Sequence, residues 1–394
     1  MIRVAFPLPG GIDWTGTGGH NYLVNLVRVL TEHAQERVHP VVFVGTDAVA
    51  ANVEPFDAMP GVQVIRAVEF DDARKGQRFR QALLAGSDRG GARCFREHRI
   101  DVLFENAQFY GWRFPLAIVA WMPDFQHRHL KELFSSVAYW KRDLGFRVQM
   151  LGGRHIMLSS EDSRRDCENF FPQSIGRTSV VRFAVLPPDV SDYDGARAIA
   201  NQYKLPKHFF YLPNQFWKHK NHRIVIEALH LLKQQGHEIV VAATGKPDDY
   251  RHRDHYEMLR SLVVSYGLED NFRFLGMVPR QHVFALMRTC VALVNPSLFE
   301  GWSSTVEEAK SLGVPMLLSN LGVHVEQAES TAHFFDPHVP EQLAVLMAQH
   351  KPMQASSRQK AEHLASSASL NRVKQFAIEF SETLQRAMTL FERV

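Results

Sequence analysis

Residues 291–319, VALVNPSLFEGWSSTVEEAKSLGVPMLLS, decide how the chain folds. The apolar run at 291–294 reads as a strand, 304–312 as a helix, and 316–319 as a second strand. A Gly and three hydroxyl residues (Gly301, Ser303, Ser304 and Thr305) stand at the junction of the first strand and the helix. Short apolar strands separated by helices are the mark of a parallel sheet with crossover helices.

The same alternation runs outward from this stretch. Before it, strands at 209–212, 239–243 and 272–275 alternate with helices at 221–235, 254–266 and 280–289. Further back, strands are expected at 3–8, 41–44, 62–65, 102–104, 117–121 and 156–158. A Gly-rich loop follows the first of these, then a helix with Leu23, Leu26, Val27 and Leu30 on one face. Pro and turn formers cluster at 186–192 and suggest a boundary. The reading is α/β: two domains with parallel sheets, 1–190 and 191–375, and a C-terminal helix at 376–394 that crosses back to the first. Such a pair leaves a central cleft, and ligands of open parallel sheets sit outside the carboxyl ends of the strands.

Composition removes several classes. With 45% hydrophobic and 22% charged residues the chain is not disordered, and a net charge of +3 does not argue for nucleic acid. Cys94, Cys167 and Cys290 are far apart and odd in number, which speaks against a disulfide framework and for a reducing, cytoplasmic compartment. No run of 18 apolar residues and no signal-peptide pattern is seen. Among 20 His, the close pairs are His127-x-His129, His219-x2-His222 and His252-x2-His255. None has HExxH spacing and no Cys stands near, so no metal site is expected.

The chemistry concentrates at two strand-to-helix junctions. At 295–308, Gly301, Trp302, Ser303, Ser304 and Thr305 can present backbone N–H groups and the positive end of a helix dipole to a diphosphate. Glu300 lies just before that helix and Glu308 inside it, where carboxylates suit sugar hydroxyls better than phosphate. Ser304-x-x-Glu307 also fits a capping box, which would need neither Glu300 nor Glu308. At 213–222, Lys218 and Lys220 near a strand end can pair with a diphosphate leaving group; a solvated helix start explains the same residues.

The spacing from Glu300 to Glu308, followed by Ala309-Lys310-Ser311-Leu312-Gly313-Val314-Pro315, resembles the signature of family-4 retaining glycosyltransferases. The resemblance implies the GT-B fold, with two Rossmann-like domains facing a cleft. By it, Glu300 contacts the donor sugar, Glu308 the ribose, and the amides near Trp302–Thr305 the diphosphate. Lys220 with Asn221 matches the family's Lys, while the family's Arg position falls at Gln215, leaving Lys218 to take its place. Gly18 and Gly19 resemble the family's first glycine loop. Asn214, Gln215 and Gly245 complete the donor-binding set. In the first domain, Pro123-Asp124 stands where many members have His-Asp, so Asp124 and His127 are the candidates there.

The implied activity is metal-independent transfer of a hexose from a nucleotide-diphosphate sugar to a glycan or lipid-linked acceptor, in bacterial surface-polysaccharide synthesis. A nucleotide-sugar epimerase and a non-catalytic sugar-nucleotide-binding scaffold remain as alternatives. No cofactor is expected. Residues 74–99 carry eight Arg or Lys against Asp88 and Glu97, with Phe79, Leu83, Leu84 and Phe95 between them. A basic amphipathic stretch of this kind suits peripheral contact with an anionic membrane, or a solvated pair of helices.

Overall fold

The computed structural model describes residues 1–8, 10, 18–106, 108–186, 193–328 and 331–393. The residues Gly16 and Thr17 of the glycine loop, and most of the boundary at 186–192, lie outside them. The chain forms two compact units.

The first unit comprises Met1–His127, Ser136–Phe183 and Arg372–Val394. Its sheet has seven strands: β1 (Ile2–Pro7), β2 (Val38–Val44), β3 (Gln63–Arg66), β4 (Val102–Asn106), β5 (Ala117–Trp121), β6 (His155–Leu158) and β7 (Thr178–Val180). All pairings are parallel, in the order β3-β2-β1-β4-β5-β6-β7. All five residues of β5, Ala-Ile-Val-Ala-Trp, are buried, as helices on both faces of a parallel sheet require. Three of the Phe form an aromatic knot beside it: Phe43 packs edge-on to Phe95 at 4.8 Å, and Phe95 lies 5.5 Å from Phe70.

The second unit comprises Arg128–Ser135 and Ala184–Asn371. Its strands are β8 (Phe210–Leu212), β9 (Val241–Thr244), β10 (Phe272–Gly276), β11 (Leu293–Asn295), β12 (Met316–Ser319) and β13 (Ala332–Phe335). The order is β10-β9-β8-β11-β12-β13, again all parallel. The helix His222–Gln234 shows why this sequence folds so: Val225, Ile226, Ala228, Leu229 and Leu232 are buried on the β-sheet core.

Both sheets therefore have the doubly wound Rossmann order, reversing between β1 and β4 and between β8 and β11. The expected α/β class with two parallel sheets is what the structure has. Two boundaries differ from the sequence reading. Arg128–Ser135 belongs to the second unit, although it lies well before residue 190. It is held there by contacts on both sides: the His129 ring is 5.2 Å from that of Phe299, and the Arg251 guanidinium sits 5.1 Å over Phe134. The long helix Ala355–Glu392 gives its residues from Arg372 onward to the first unit.

A fully buried ion pair braces the first unit. Arg154 Nε and Nη2 donate to Glu105 at 2.7 and 3.2 Å, and Nη2 also donates to the Gly111 carbonyl at 2.8 Å. The Tyr110 amide donates to the same carboxylate at 3.0 Å. Removing one member leaves the other charge stranded. Arg154→Met is expected to destabilise the fold by about 3–5 kcal/mol, and Arg154→Met with Glu105→Leu to recover most of it. Denaturant titrations of the two variants beside the wild type check this.

Candidate active site

The reversal point of the second sheet lies between β8 and β11, so the loops that leave these two strands share one end of the sheet. After β11 the chain runs through residues 296–303 into the helix Ser304–Ser311. Ser303 is its N-cap residue and has extended backbone angles, yet its side chain makes no capping hydrogen bond. The first-turn amides of this helix thus stay available to an anion.

The Ser303 hydroxyl is used elsewhere, in a closed ring of buried hydrogen bonds. Asn214 Nδ2 donates to Asn295 Oδ1 (3.1 Å), and Asn295 Nδ2 donates to Ser303 Oγ (2.9 Å). Ser303 Oγ and Thr305 Oγ1 are 3.0 Å apart, and Thr305 Oγ1 donates back to Asn214 Oδ1 at 3.4 Å. All four residues are buried. The ring rivets the end of β8 to the end of β11 and to the helix start, which fixes where the free amides point. Gln327 adds a clamp from the next helix, accepting from the Ser303 amide at 3.1 Å and donating to the Ser303 carbonyl at 2.8 Å.

Lys220 and Glu300 meet between the two loops. Lys220 closes the one-turn helix Lys218–Lys220, and Asn221 follows with φ +54°, a left-handed turn that Asn tolerates. The Leu298 amide donates to the His219 carbonyl at 2.8 Å and ties this turn to the second loop. Lys220 Nζ lies 2.6 Å from Glu300 Oε1, which also accepts from Ser297 Oγ at 2.7 Å. Burial alone would raise the Glu300 pKa, but Lys220, with help from His324 and His219, holds it down at about 2. Glu300 is thus a firm carboxylate at neutral pH.

Glu308 has a different setting. Its carboxyl is 11% exposed and accepts from Arg280 Nη2 at 3.2 Å, from a guanidinium that is itself mostly in water. Burial pushes its pKa up, and Arg280 only partly offsets this. Glu307 does not cap the helix: its Oε1 accepts from Gln327 Nε2 at 3.0 Å and Lys310 Nζ at 3.2 Å. The capping-box reading of Ser304-x-x-Glu307 is therefore corrected, because the cap position is Ser303 and the acid is drawn toward Gln327.

The remaining predicted residues are placed as follows. Lys218 is exposed, and its amide donates to Asp249 Oδ2 at 3.0 Å. Gln215 Oε1 accepts from the Lys246 amide at 2.6 Å. Gly245 allows the β9 loop to come close: a Cβ there would stand 2.3 Å from the Asn214 carbonyl oxygen. Gly301 is buried, Trp302 half-buried and Ser304 exposed. Gly18, Gly19, Asp124 and His127 belong to the first unit. Gly18 opens the helix Gly18–His33, with Gly19 second in it. Asp124 accepts from Arg142 Nη2 at 2.7 Å and from the Gln126 amide at 2.8 Å. His127 is fully buried, 3.5 Å from Asp143 and packed on Tyr139 and Phe146. A ring with no exposed surface does not suit contact with a substrate. Among the described residues, no group of three or more His, Cys, Asp or Glu is placed to hold a metal ion.

Asn295, Ser297, Gln327 and Arg280 were not singled out from sequence. The sole local signal is Asn295-Pro296-Ser297 at a strand end, a turn pattern shared by many loops.

Residues 196–365 match the family described as glycosyl transferases group 1. The serotype-specific mannosyltransferase WbdA of Escherichia coli is 30% identical over 206 residues, which are 50% of this chain and 24% of that protein. The chain thus spans about a quarter of the length of this relative. Two solved structures share the architecture over nearly the whole chain. Anabaena Alr3699/HepE in complex with UDP-glucose has a TM-score of 0.67 at 15% identity, covering 99% of this chain and 100% of that one. WaaG, a glycosyltransferase involved in lipopolysaccharide biosynthesis, has a TM-score of 0.60 at 15% identity, covering 96% and 98%. Residues 196–365 are thus similar to the glycosyl transferases group 1 family, and the chain has the GT-B fold.

Proposed function

We propose that the protein is a retaining glycosyltransferase that moves a hexose from a nucleotide-diphosphate sugar to a hydroxyl of a glycan or lipid-linked acceptor in cell-surface polysaccharide synthesis. One observation carries the reading. An uncapped helix start at a topological switch point is flanked by Glu300, paired with Lys220, and by Glu308, whose partner is mostly solvated. The serotype-specific mannosyltransferase and the lipopolysaccharide glycosyltransferase among the similar proteins support the product class.

The donor diphosphate lies on the amides that begin the helix Ser304–Ser311, with Lys220 and Lys218 at its oxygens. Glu300 accepts from hydroxyls of the sugar and Glu308 from those of the ribose. The acceptor oxygen bonds to the anomeric carbon on the face from which the nucleotide departs. As the glycosidic bond breaks, its electron pair passes to the diphosphate, and a phosphate oxygen takes the acceptor proton. No protein base is needed. Lys220 and the helix amides stabilise the charge that grows on the leaving group, the work a metal ion does elsewhere.

Nucleotide release from a panel of donor sugars, with and without a lipid extract, tests this. Release that depends on acceptor is expected. Release without acceptor would point to an epimerase or hydrolase instead, and donor binding without turnover to a scaffold.

A further inference from the structure

The helix Ser136–Met150 of the first unit carries two apolar stripes. The inner one is accounted for: Met150 is buried and Phe146 packs edge-on to Phe125 at 5.4 Å. The outer one is not. Val137 is 79% exposed, Trp140 63% and Leu144 59%, and Leu151, just past the helix, 62%. At 100° per residue, Val137, Trp140 and Leu144 share an arc of roughly 60°, with Lys141 at one edge and Arg147 at the other. A surface helix ordinarily shows water a polar face.

A second exposed patch adjoins it. On the helix Lys75–Leu84, Phe79 is 51% exposed, Leu83 43% and Leu84 81%, between exposed Lys75 and Arg80. Trp112 joins the two. Its indole N–H donates to the Leu83 carbonyl at 3.4 Å, and its backbone is so close to Gly152 that a Cβ there would stand 3.0 Å away. The Arg113 guanidinium covers its ring at 4.3 Å. Isolated exposed apolar residues are ordinary, but a run of this extent marks a binding surface.

We propose that these two helices, with Trp112 between them, are a docking surface for a bilayer containing anionic lipid. Charge selects this occupant. Arg142 pairs with Asp124 at 2.7 Å and Arg147 with the buried Asp143 at 2.7 Å, while Lys75, Arg80 and Lys141 are exposed beside the apolar residues, and neither helix places an acid on its exposed face. An apolar stripe edged by cations, with Trp at its margin, fits the headgroup boundary. A second copy of the chain would bring like charge against like charge. The sequence reading of 74–99 is narrowed by the fold. Its second half, the helix Arg89–Glu97, buries Cys94 and Phe95, and Arg93 pairs with Glu69 at 3.0 Å. The surface continues instead onto Ser136–Met150, which lies outside that stretch.

The inference goes beyond sugar transfer, and its test needs no donor. The full chain is sedimented with vesicles of phosphatidylcholine, or of phosphatidylcholine with phosphatidylglycerol. Strong partitioning onto the anionic vesicles, weakened by salt, is expected. Trp140→Ser/Leu144→Ser should lower the partition constant by at least about tenfold at unchanged melting temperature. Lys75→Glu/Lys141→Glu should abolish the preference for anionic lipid. No partitioning, or equal partitioning of the wild type and the Trp140→Ser/Leu144→Ser chain, would overturn the proposal. So would a concentration-dependent dimer in lipid-free buffer that Trp140→Ser/Leu144→Ser dissociates.

Discussion

Lys220→Ala is expected to lower kcat by about 10²- to 10³-fold while donor affinity falls by less than about tenfold. In the resting site the Lys220 charge is held 2.6 Å from Glu300, so it is balanced before any ligand arrives. A bound diphosphate gains only part of that charge. When the glycosidic bond breaks, negative charge moves onto the leaving oxygen beside a cation that needs no reorganisation, so Lys220 contributes most in the transition state. Single-turnover rates and donor titrations separate the two quantities. Equal losses in both would show that Lys220 merely holds the donor. The substitution also strands Glu300, at a cost of roughly 3–5 kcal/mol. The paired variant Lys220→Met/Glu300→Gln should regain thermal stability without regaining rate, which separates chemistry from folding. The pH dependence has a definite sign. Glu300 titrates at about 2 when folded, against an ordinary 4.5. Its contribution to stability is therefore whole above pH 4.5 and is lost as the pH falls from there to about 2. The paired variant should lack that acid-side loss.

How much of this was readable from the sequence depends on how local each feature is. β5 and β12 are unbroken apolar runs buried on both faces, and they were read within a residue of their true limits. β7 and β13 were missed. Each lies at one edge of its sheet, as Thr-Ser-Val and Ala-His-Phe-Phe, where polar residues are tolerated and the apolar run is broken; the opposite edges, β3 and β10, were read because Val64-Ile65 and Phe272–Phe274 keep an apolar signal. The two acids of the site stood out because their spacing about the helix start is local. Lys220 and Asn214 stood out as well, but what each would meet did not, because sheet order brings the partners in from afar: Lys220 is 80 residues from Glu300, Asn214 is 81 from Asn295, and Arg280, 28 residues before Glu308, was not singled out at all. The same limit explains His127. A His after Pro123-Asp124 at a strand end suits a pocket, but the helix beginning at Ser136 folds Tyr139, Asp143 and Phe146 around its ring. Which way a side chain turns at a strand end is a tertiary fact.

Glu308→Ala is expected to weaken binding of the nucleoside diphosphate by about 10- to 100-fold, with kcat at saturating donor changed by less than about threefold. The carboxyl is buried and its one described charged partner, Arg280, is 55% exposed. Such an acid keeps acceptor capacity to spare, and two neighbouring ribose hydroxyls can donate to it together. Gln offers one acceptor oxygen, so Glu308→Gln should fall between Ala and the wild type. The pH response follows from the direction of the shift. Burial raises the Glu308 pKa, so the group begins to take up a proton at a higher pH than an ordinary Glu. Donor affinity should fall as the pH drops through that range, and the Gln variant should be flat across it. In stability the two acids then oppose each other. Folding gains from Glu300 as the pH rises toward 4.5, whereas a raised pKa makes Glu308 cost stability as the pH rises from its unfolded value through its folded one. Removing Glu308 should leave the melting temperature unchanged or higher at neutral pH, so weaker binding cannot be put down to a damaged fold. Calorimetric titration of the Ala variant with nucleoside diphosphate decides the matter. Wild-type affinity there would take the ribose away from Glu308 and leave that acid as no more than the partner of Arg280.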